Sequence, residues 1–315
     1  MDARTAKTRL TLIGVVTLCA AALSGCVSPG ATDGRVQVLA SFYPLQYIAR
    51  QVGGPGVEVS SLTPPGAEPH DVELSPRQVR SVGEAAVVVY LGGFQPAVDK
   101  AVQERRPVHA VDAAQTPAVR AALRARHTQP DGAAGAAAGD KAAGARDPHF
   151  WLDPTLLVPV AEDVAAALSA ADPSHAADYR TRATTLSNQL MGLDADLRQG
   201  LTTCQRRVVV TAHAAFGYLA DRYGLSQVGL SGLDPEAEPS PARLREIRAA
   251  VSSSGVTTVF TESLVNPKVS RTLADDLGLR TAVLDPVESQ VDPHADYRAA
   301  MEQNLAVLRT ALGCS

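Results

Sequence analysis

Residues 172–200 read DPSHAADYRTRATTLSNQLMGLDADLRQG and separate two halves of the chain that share one pattern. Asp172 suits a helix N-cap, and Pro173 suits the first position of a helix. Apolar residues then recur at helical spacing, at Tyr179, Leu186, Leu190, Leu193 and Leu197. At 1.5 Å per residue this helix would be about 40 Å long. We therefore predict a stiff linker helix over residues 172–200 that joins two lobes; the alternative is a long packing helix inside one domain.

Strand-like and helix-like segments alternate on both sides of this helix. Apolar runs that predict strands are Val36–Ala40, Val57–Leu62, Ala86–Leu91, Pro107–Val111, Arg207–Thr211, Gln227–Leu230, Val256–Thr261 and Thr281–Leu284. Segments that predict helices are Pro44–Val52, Ser75–Glu84, Gln95–Arg105, Phe216–Tyr223, Pro241–Ser253, Pro267–Leu277 and His294–Leu312. Strands this uniformly apolar are typical of parallel sheets covered on both faces. We predict an α/β fold of two (β/α)4 lobes, the N-terminal lobe over residues 36–171 and the C-terminal lobe over residues 201–315.

Three histidines and an aspartate follow predicted strands. His70 follows the second strand, His149 the loop after the fourth and His213 the fifth, and Asp285 ends the eighth. Ligands of open α/β sheets bind outside the carboxyl ends of the strands, so these groups should face one inter-lobe cleft, two from each lobe. Taken alone, each histidine could be a surface or capping residue, and Asp285 could simply begin a turn. Together, three imidazoles and a carboxylate suit a divalent transition metal, above all zinc.

Other acidic residues stand close to these candidates. Glu262 follows the strand Val256–Thr261 and is a rival to Asp285 as the fourth ligand. It could instead accept a hydrogen bond from an imidazole N–H and so orient a histidine. Glu68 and Asp71 flank His70 and suit the same orienting role.

The N-terminus has the pattern of an export signal. A positively charged start is followed by an apolar run, Leu10–Ala22, that is too short to cross a bilayer as a stable helix. Residues 23–26, LSGC, resemble a bacterial lipobox, which implies cleavage of residues 1–25 and acylation of Cys26. Residues 26–35 would then be a tether, and the chain would be extracytoplasmic and lipid-anchored to the cell membrane. Ordinary secretion and an uncleaved anchor are the alternatives.

Two cysteines, Cys204 and Cys314, remain after such processing. Disulfides persist in an oxidising compartment. We predict that these two residues form a disulfide that joins the last helix to the start of the second half; the alternative is two buried free thiols.

Composition argues against one class of partner. The formal net charge is -4 and aromatic residues make up only 4% of the chain. Nucleic-acid-binding proteins typically carry a basic stripe, and none occurs here. We therefore expect no nucleic acid among the partners.

Five motifs resemble the metal-specific substrate-binding lipoproteins of bacterial ABC importers, the zinc/manganese group. They are Pro69-His70-Asp71 with Glu73-Leu74-Ser75-Pro76 after it, the run from Asp147 to Pro154, the run from His213 to Tyr218, the run from Glu236 to Ser240, and Phe260-Thr261-Glu262. The resemblance covers the whole mature chain and implies two lobes, a rigid helix between them and the ligands His70, His149, His213 and Asp285. It also implies delivery of the metal to a membrane permease driven by a cytoplasmic ATPase. We expect the protein to act as a monomer.

The choice of metal leans towards zinc. A carboxylate at the third ligand position accompanies manganese in the family, whereas this chain has His213 there. Three nitrogens and one oxygen suit tetrahedral zinc, and manganese prefers more oxygen. One departure weakens the zinc assignment: zinc-specific members often carry a histidine-rich loop, but residues 127–145 are mostly alanine and glycine, with only His127. This segment predicts a flexible surface loop.

Two other functions remain as alternatives to transport. A secreted zinc hydrolase would need an open coordination position, and Glu262 would be its base if Asp285 were not a ligand. The chain has neither a His-Glu-x-x-His pair nor a Gly-x-Ser-x-Gly elbow, so we predict that it is not an enzyme. The second alternative is a surface adhesin, a role described for some relatives.

Overall fold

The computed structural model describes residues 31–32, 34–128 and 146–315. The strands are β1 (Ala31–Thr32), β2 (Arg35–Ala40), β3 (Val57–Ser61), β4 (Val87–Tyr90), β5 (Ala110–Asp112), β6 (Val208–Thr211), β7 (Ser226–Gly229), β8 (Thr258–Thr261) and β9 (Arg280–Val283). The α-helices are α1 (Tyr43–Gly53), α2 (Pro76–Glu84), α3 (Pro96–Arg105), α4 (Pro117–Thr128), α5 (Pro154–Ala171), α6 (Ala176–Leu201), α7 (Gly217–Tyr223), α8 (Pro241–Ser254), α9 (Lys268–Leu277) and α10 (Tyr297–Leu312). The predicted export signal, Cys26 and most of the predicted loop 127–145 lie outside the described residues.

The two sheets share one strand order. The parallel strands of the first sheet lie in the order β3–β2–β4–β5, and β1 pairs antiparallel with the start of β2. The second sheet has the parallel order β7–β6–β8–β9. In each sheet the first parallel strand, β2 or β6, therefore lies between the second and the third, so the chain adds its second parallel strand on one side and its third on the other. The prediction of two lobes with parallel sheets is confirmed.

Both faces of the first sheet are covered, which explains its uniformly apolar strands. Val87 and Val89 of β4 pack in the cluster that contains Leu157 of α5. Val88, which points to the opposite face, packs in a separate cluster with Val82 of α2 and Val98 of α3. Successive side chains of a strand point to opposite faces, so a strand between two layers of helices needs apolar residues at every position.

The linker helix is present with a different start from the one predicted. The structure has a 3-10 turn at Pro173–His175 and begins α6 at Ala176. Asp172 makes no capping bond to the backbone; instead its carboxylate accepts a hydrogen bond from Tyr179 Oη at 2.8 Å. The five residues of the predicted apolar stripe are all buried. Helix α6 packs against α1 and α5 of the first lobe and against α10 of the second.

Helix α5 is the main element that the sequence pattern did not predict. It begins at a side-chain cap, where Asp153 Oδ1 accepts a hydrogen bond from the Thr155 N–H at 2.9 Å. With a mean hydropathy of 1.3 it is long and apolar enough to cross a membrane by length and composition. Its residues Leu157, Val164 and Leu168 are nevertheless completely buried, and it packs against α1 and α6. Its apolar character therefore follows from its place between other layers.

Cys204 and Cys314 form the predicted disulfide. The bond joins Cys204, shortly after the end of α6, to Cys314, the second residue after α10. Backbone hydrogen bonds run alongside it, from the Arg206 N–H to the Leu312 carbonyl at 3.1 Å and from the Ser315 N–H to the Thr203 carbonyl at 3.4 Å. The C-terminal end of the chain is thus fastened to the start of the second lobe.

Candidate metal centre

Three histidines and a glutamate converge between the lobes. His70 lies in the connection from β3 to α2, and His149 directly precedes a 3-10 turn at Phe150–Leu152. His213 directly precedes a second 3-10 turn, Ala214–Phe216, two residues after β6. Glu288 lies in the irregular segment between β9 and α10. Each lobe therefore provides two of the four side chains.

Their ligand-type atoms lie within 4.8 Å of one another. Glu288 Oε1 is 2.9 Å from His149 Nε2, 3.5 Å from His213 Nε2 and 3.6 Å from His70 Nε2. The two Nε2 atoms of His149 and His213 are 3.4 Å apart. His149, His213 and Glu288 are buried, while the His70 side chain keeps 15% of its surface exposed. The group is thus open to solvent only on the His70 side.

The structure corrects the predicted fourth member of this group. Asp285 is at the end of the last strand, as expected, but its Oδ1 accepts a hydrogen bond from the Val287 N–H at 2.8 Å. Its backbone N–H and carbonyl are both bonded to the side chain of Asn304 on α10, at 2.9 and 2.6 Å. Asp285 therefore makes its hydrogen bonds within the segment that carries Glu288 and to α10. Glu288 takes the place among the three histidines that was expected for Asp285. No motif in the sequence marks Glu288.

Two carboxylates orient the buried histidines. His149 Nδ1 lies 2.8 Å from Asp147 Oδ1, and His213 Nδ1 lies 2.6 Å from Glu262 Oε2. In both cases the backbone N–H of the histidine also donates to the same carboxylate, at 3.0 and 3.1 Å. A carboxylate accepts only, so each Nδ1 carries a proton, and Nε2 faces the centre of the group, where its lone pair becomes available to a metal once Nε2 is deprotonated.

The predicted neighbours therefore divide by role. Glu262 takes the orienting role, the second of the two roles considered for it, and Asp147 takes the same role for His149 although the sequence did not single it out. Glu68 Oε1 accepts the backbone N–H of His70 at 3.0 Å and so holds the loop that carries it. Asp71 is exposed and is not part of the group.

The carboxylates and imidazoles of the group shift one another's pKa values. Burial by itself would raise the pKa of Glu288, but the three imidazoles that face it hold that pKa well below its usual range. Burial would lower the pKa of His213, but Glu262 and Glu288 raise it to about 10. Burial and the charge of Glu288 raise the pKa of Glu68 to about 7. The site therefore stabilises positive charge at its centre.

The donor set fits a tetrahedral cation. A zinc ion with bonds of about 2.0–2.1 Å to nitrogen separates neighbouring ligand atoms by about 3.3 Å. The separations from Glu288 Oε1 to the three Nε2 atoms, 2.9 to 3.6 Å, bracket that value. Within the described residues, His70 Nε2 and Glu288 Oε1 are buried and neither makes a hydrogen bond of acceptable geometry, although Oε1 lies within 3.6 Å of three imidazole nitrogens. Buried polar atoms normally have partners, and a cation held by all four side chains would engage both of these atoms.

Contacts between the lobes flank the group on two sides. Trp151 Nε1 of the first lobe donates to the Pro286 carbonyl of the second at 2.8 Å. The Gly66 N–H of the first lobe donates to Ser289 Oγ of the second at 2.7 Å. The segment that carries Glu288 is thus fastened to the first lobe both before and after the glutamate.

Comparison with known proteins agrees with this geometry. The sequence model of the family described as "ZnuA: Zinc-uptake complex component A periplasmic" matches residues 38–311. The zinc-binding lipoprotein AdcA of Streptococcus pneumoniae is 30% identical over 308 residues, which cover 94% of this chain and 59% of that protein. The high-affinity zinc uptake system protein ZnuA of Bacillus subtilis is 28% identical over 314 residues, covering 96% of this chain and 97% of that protein. The chain thus spans about three-fifths of the length of the AdcA relatives that it matches.

Solved structures show the same fold. The Zn(II)-bound AdcA of Streptococcus pneumoniae superposes with a TM-score of 0.70 at 29% identity, covering 89% of this chain and 58% of that chain. The laminin-binding protein Lmb of Streptococcus agalactiae, described as bifunctional with adhesin and metal transporting activity, superposes with a TM-score of 0.74 at 29% identity, covering 88% and 99% of the two chains.

Proposed function

This chain belongs to the family of the periplasmic component A of zinc-uptake complexes, and from that membership we propose that it binds one Zn²⁺ outside the cytoplasm and delivers it to the permease of an ABC importer. The observation that carries the proposal is the buried group of three imidazoles and one carboxylate shared by the two lobes. Relatives named for zinc binding and zinc uptake support it.

We propose His70, His149, His213 and Glu288 as the zinc ligands. The short separations among their donor atoms support this set, because carboxylate and imidazole atoms this close require a shared proton or a shared cation. The carboxylates behind His149 and His213 support it as well, since such partners fix ring orientation and make imidazole a better ligand. Three nitrogens and one oxygen favour zinc over manganese.

The location and anchoring of the chain are also proposals. The lipobox-like residues 23–26 support acylation of Cys26, and one AdcA relative is named a lipoprotein. We retain the lobe limits of residues 36–171 and 201–315, with residues 172–200 between them; the first range contains β3–β5 and all of β2 except Arg35, and the second contains β6–β9. We also retain the expectation of a monomer.

The competing functions have less support. The family is an uptake component, in agreement with the prediction that the chain is not an enzyme. Glu262, the base of the hydrolase alternative, is bonded to both the ring and the backbone of His213. The adhesin alternative rests on the description of a structural neighbour, and the geometry of the metal group does not favour it.

The test compares two carboxylates that lie three residues apart. Protein purified without added metal, and then loaded with Zn²⁺, should contain one zinc per chain by elemental analysis. Glu288→Gln should weaken zinc binding by at least about tenfold in a chelator competition, because it removes a charged ligand. Asp285→Asn is the matched control and should bind nearly as tightly as the wild type, since its amide oxygen can still accept the Val287 N–H. The opposite ranking of the two variants would refute the ligand set, and a wild type that binds no zinc would refute the function.

A further inference from the structure

Val287, the residue before Glu288, has an unusual backbone conformation. Its φ is 56°, in the left-handed region that favours glycine. The only other described non-glycine residue with positive φ is Arg106, with φ 46°. Valine is β-branched and tolerates this region poorly, because its Cβ approaches the carbonyl oxygen. Val287 is also buried, with 1% of its surface exposed, so contacts within the protein must hold it in this conformation.

Four hydrogen bonds hold this segment in place. The Asp285 carboxylate accepts the Val287 N–H itself, and the Asn304 side chain bonds the backbone of Asp285 on both sides. Trp151 donates to the carbonyl of Pro286. A strained backbone conformation persists only where the surrounding structure enforces it. These four hydrogen bonds enforce the left-handed conformation of Val287.

Two of the contacts that hold the segment depend on the lobes being together. Trp151 belongs to the first lobe and is two residues from His149; its bond to the Pro286 carbonyl directly precedes Val287. Gly66, in the loop that carries His70, bonds Ser289 directly after Glu288. Separation of the lobes breaks both bonds. The left-handed conformation would then have less to hold it, and a return of φ to negative values would change the direction in which Glu288 leaves the backbone.

We propose that Val287 is a positioning residue that keeps Glu288 in the metal group only while the lobes are in contact, and that it thereby sets the rate of zinc release. The proposal rests on the proposed function and adds the device by which a buried ion is let go. The backbone strain at Val287 raises the free energy of the state in which the lobes are in contact. Relief of this strain therefore favours the movement of Glu288 out of the metal group.

The test separates backbone strain from side-chain packing. Val287→Gly removes the strain, whereas Val287→Ala removes nearly the same side chain but keeps the penalty for positive φ. Zinc dissociation is followed by stopped flow with an excess of a colorimetric chelator. Release from Val287→Gly should be about five- to thirtyfold slower than from Val287→Ala. Association rates of the two variants should be similar, because the strain acts on the closed state.

A second substitution tests the link to the lobes. Trp151→Phe keeps a smaller aromatic ring but removes the indole N–H that donates to the Pro286 carbonyl, and it should speed zinc release in the wild-type background. In the Val287→Gly background the same substitution should have a smaller effect, because glycine no longer needs that bond to stay left-handed. Thermal unfolding of each metal-free variant verifies that it is folded.

The control is Arg106→Gly, which relieves the same kind of strain at the end of α3. It should leave the zinc release rate unchanged. Equal release from Val287→Gly and Val287→Ala, or effects of Trp151→Phe that are identical in both backgrounds, would overturn the proposal. These outcomes leave the proposed function standing, since every variant would still bind zinc; a wild type without zinc affinity would defeat the proposed function instead.

Discussion

The guanidinium of Arg126 donates from Nε to Asp147 Oδ2 at 2.7 Å, while the other oxygen of Asp147 faces the ring of His149. Arg126 lies on α4 in the first lobe, and a second nitrogen of its guanidinium contacts Asp221 on α7 in the second. The orientation of His149, a proposed zinc ligand, is therefore connected, through one arginine, to the opposite lobe. Tyr218 completes the arrangement, because its Oη donates to the Asp147 carbonyl at 3.0 Å.

The first prediction concerns the space that Arg126 occupies. A Cβ at Gly217 would lie 1.9 Å from Arg126 Nη2, so Gly217→Ala must displace the guanidinium. Asp147 then loses its partner, and we expect zinc affinity to fall about tenfold, the effect typical of a lost orienting partner. The measurement is a zinc titration against a competing chelator.

Gly192→Ala is the matched control for this substitution. Gly192 lies in α6 with nothing within 4 Å of an added Cβ. Alanine there should leave zinc affinity unchanged and raise the free energy of unfolding by roughly 0.5–1 kcal/mol. Equal zinc affinity of Gly217→Ala and the wild type would contradict the role of Arg126.

The second prediction concerns protons. Glu262 and Glu288 raise the pKa of His213 to about 10, so the metal-free protein keeps a proton there at neutral pH. Zinc must displace that proton, and affinity should therefore rise as pH increases towards that value and fall as pH decreases. Titration calorimetry near pH 7.5, in buffers of different ionisation enthalpy, should show at least one proton released per zinc.

Glu262→Gln is the comparison for this experiment, because it removes one of the two charges that raise the pKa of His213. Proton release near neutral pH should become smaller in this variant. A wild type that binds zinc without releasing protons would show that His213 is already neutral in the metal-free protein.

The third prediction concerns the disulfide. Cys204 and Cys314 are 110 positions apart, so their bond restricts a long stretch of the unfolded chain. Cys204→Ser should lower the free energy of unfolding by about 2–5 kcal/mol, measured by denaturant titration. The double variant with Cys314→Ser should lose no more than the single variant, and zinc affinity should not change in either. A single variant as stable as the wild type would show that the bond contributes little.

The fourth prediction concerns a buried carboxylate on the linker helix. Asp194 is 4% exposed and accepts two hydrogen bonds from Arg222 on α7, each 2.9 Å long. Asp194→Ala leaves this partly buried arginine without its acceptor and should cost about 2–3 kcal/mol of unfolding free energy. Asp276→Ala breaks an exposed pair with Arg248 of similar length, 2.8 Å, and should cost less than about 1 kcal/mol. Similar losses in the two variants would contradict the importance of burial here.

The strands could be predicted because their composition reports burial on both faces. Every residue of the predicted strand Val256–Thr261 that falls in β8 is buried. The sequence predicts the last strand of the first sheet at Pro107–Val111, whereas the structure has β5 at Ala110–Asp112. Val108 is 86% exposed and lies before the strand, although its β-branched side chain is of a type common in strands. Helix α5 escaped prediction because apolar residues on all its sides conceal the helical period.

The three histidines could be predicted because strand ends of α/β sheets meet in space. Glu288 could not, because it lies five residues after β9 in an irregular segment. Its direction depends on the left-handed backbone of Val287, and valine gives no sign of such a conformation. Asp285 follows a strand, as the strand-end argument requires of a ligand. Its carboxylate nevertheless accepts the Val287 N–H and so holds the backbone of this segment.

Trp151 is the only tryptophan of the chain, it is fully buried, and its indole N–H spans the two lobes to reach the Pro286 carbonyl. Under excitation that tryptophan absorbs and the seven tyrosines do not, emission from this protein therefore comes from one ring, whose surroundings change when the lobes separate. Opening can be followed in the native molecule by fluorescence, with no label attached.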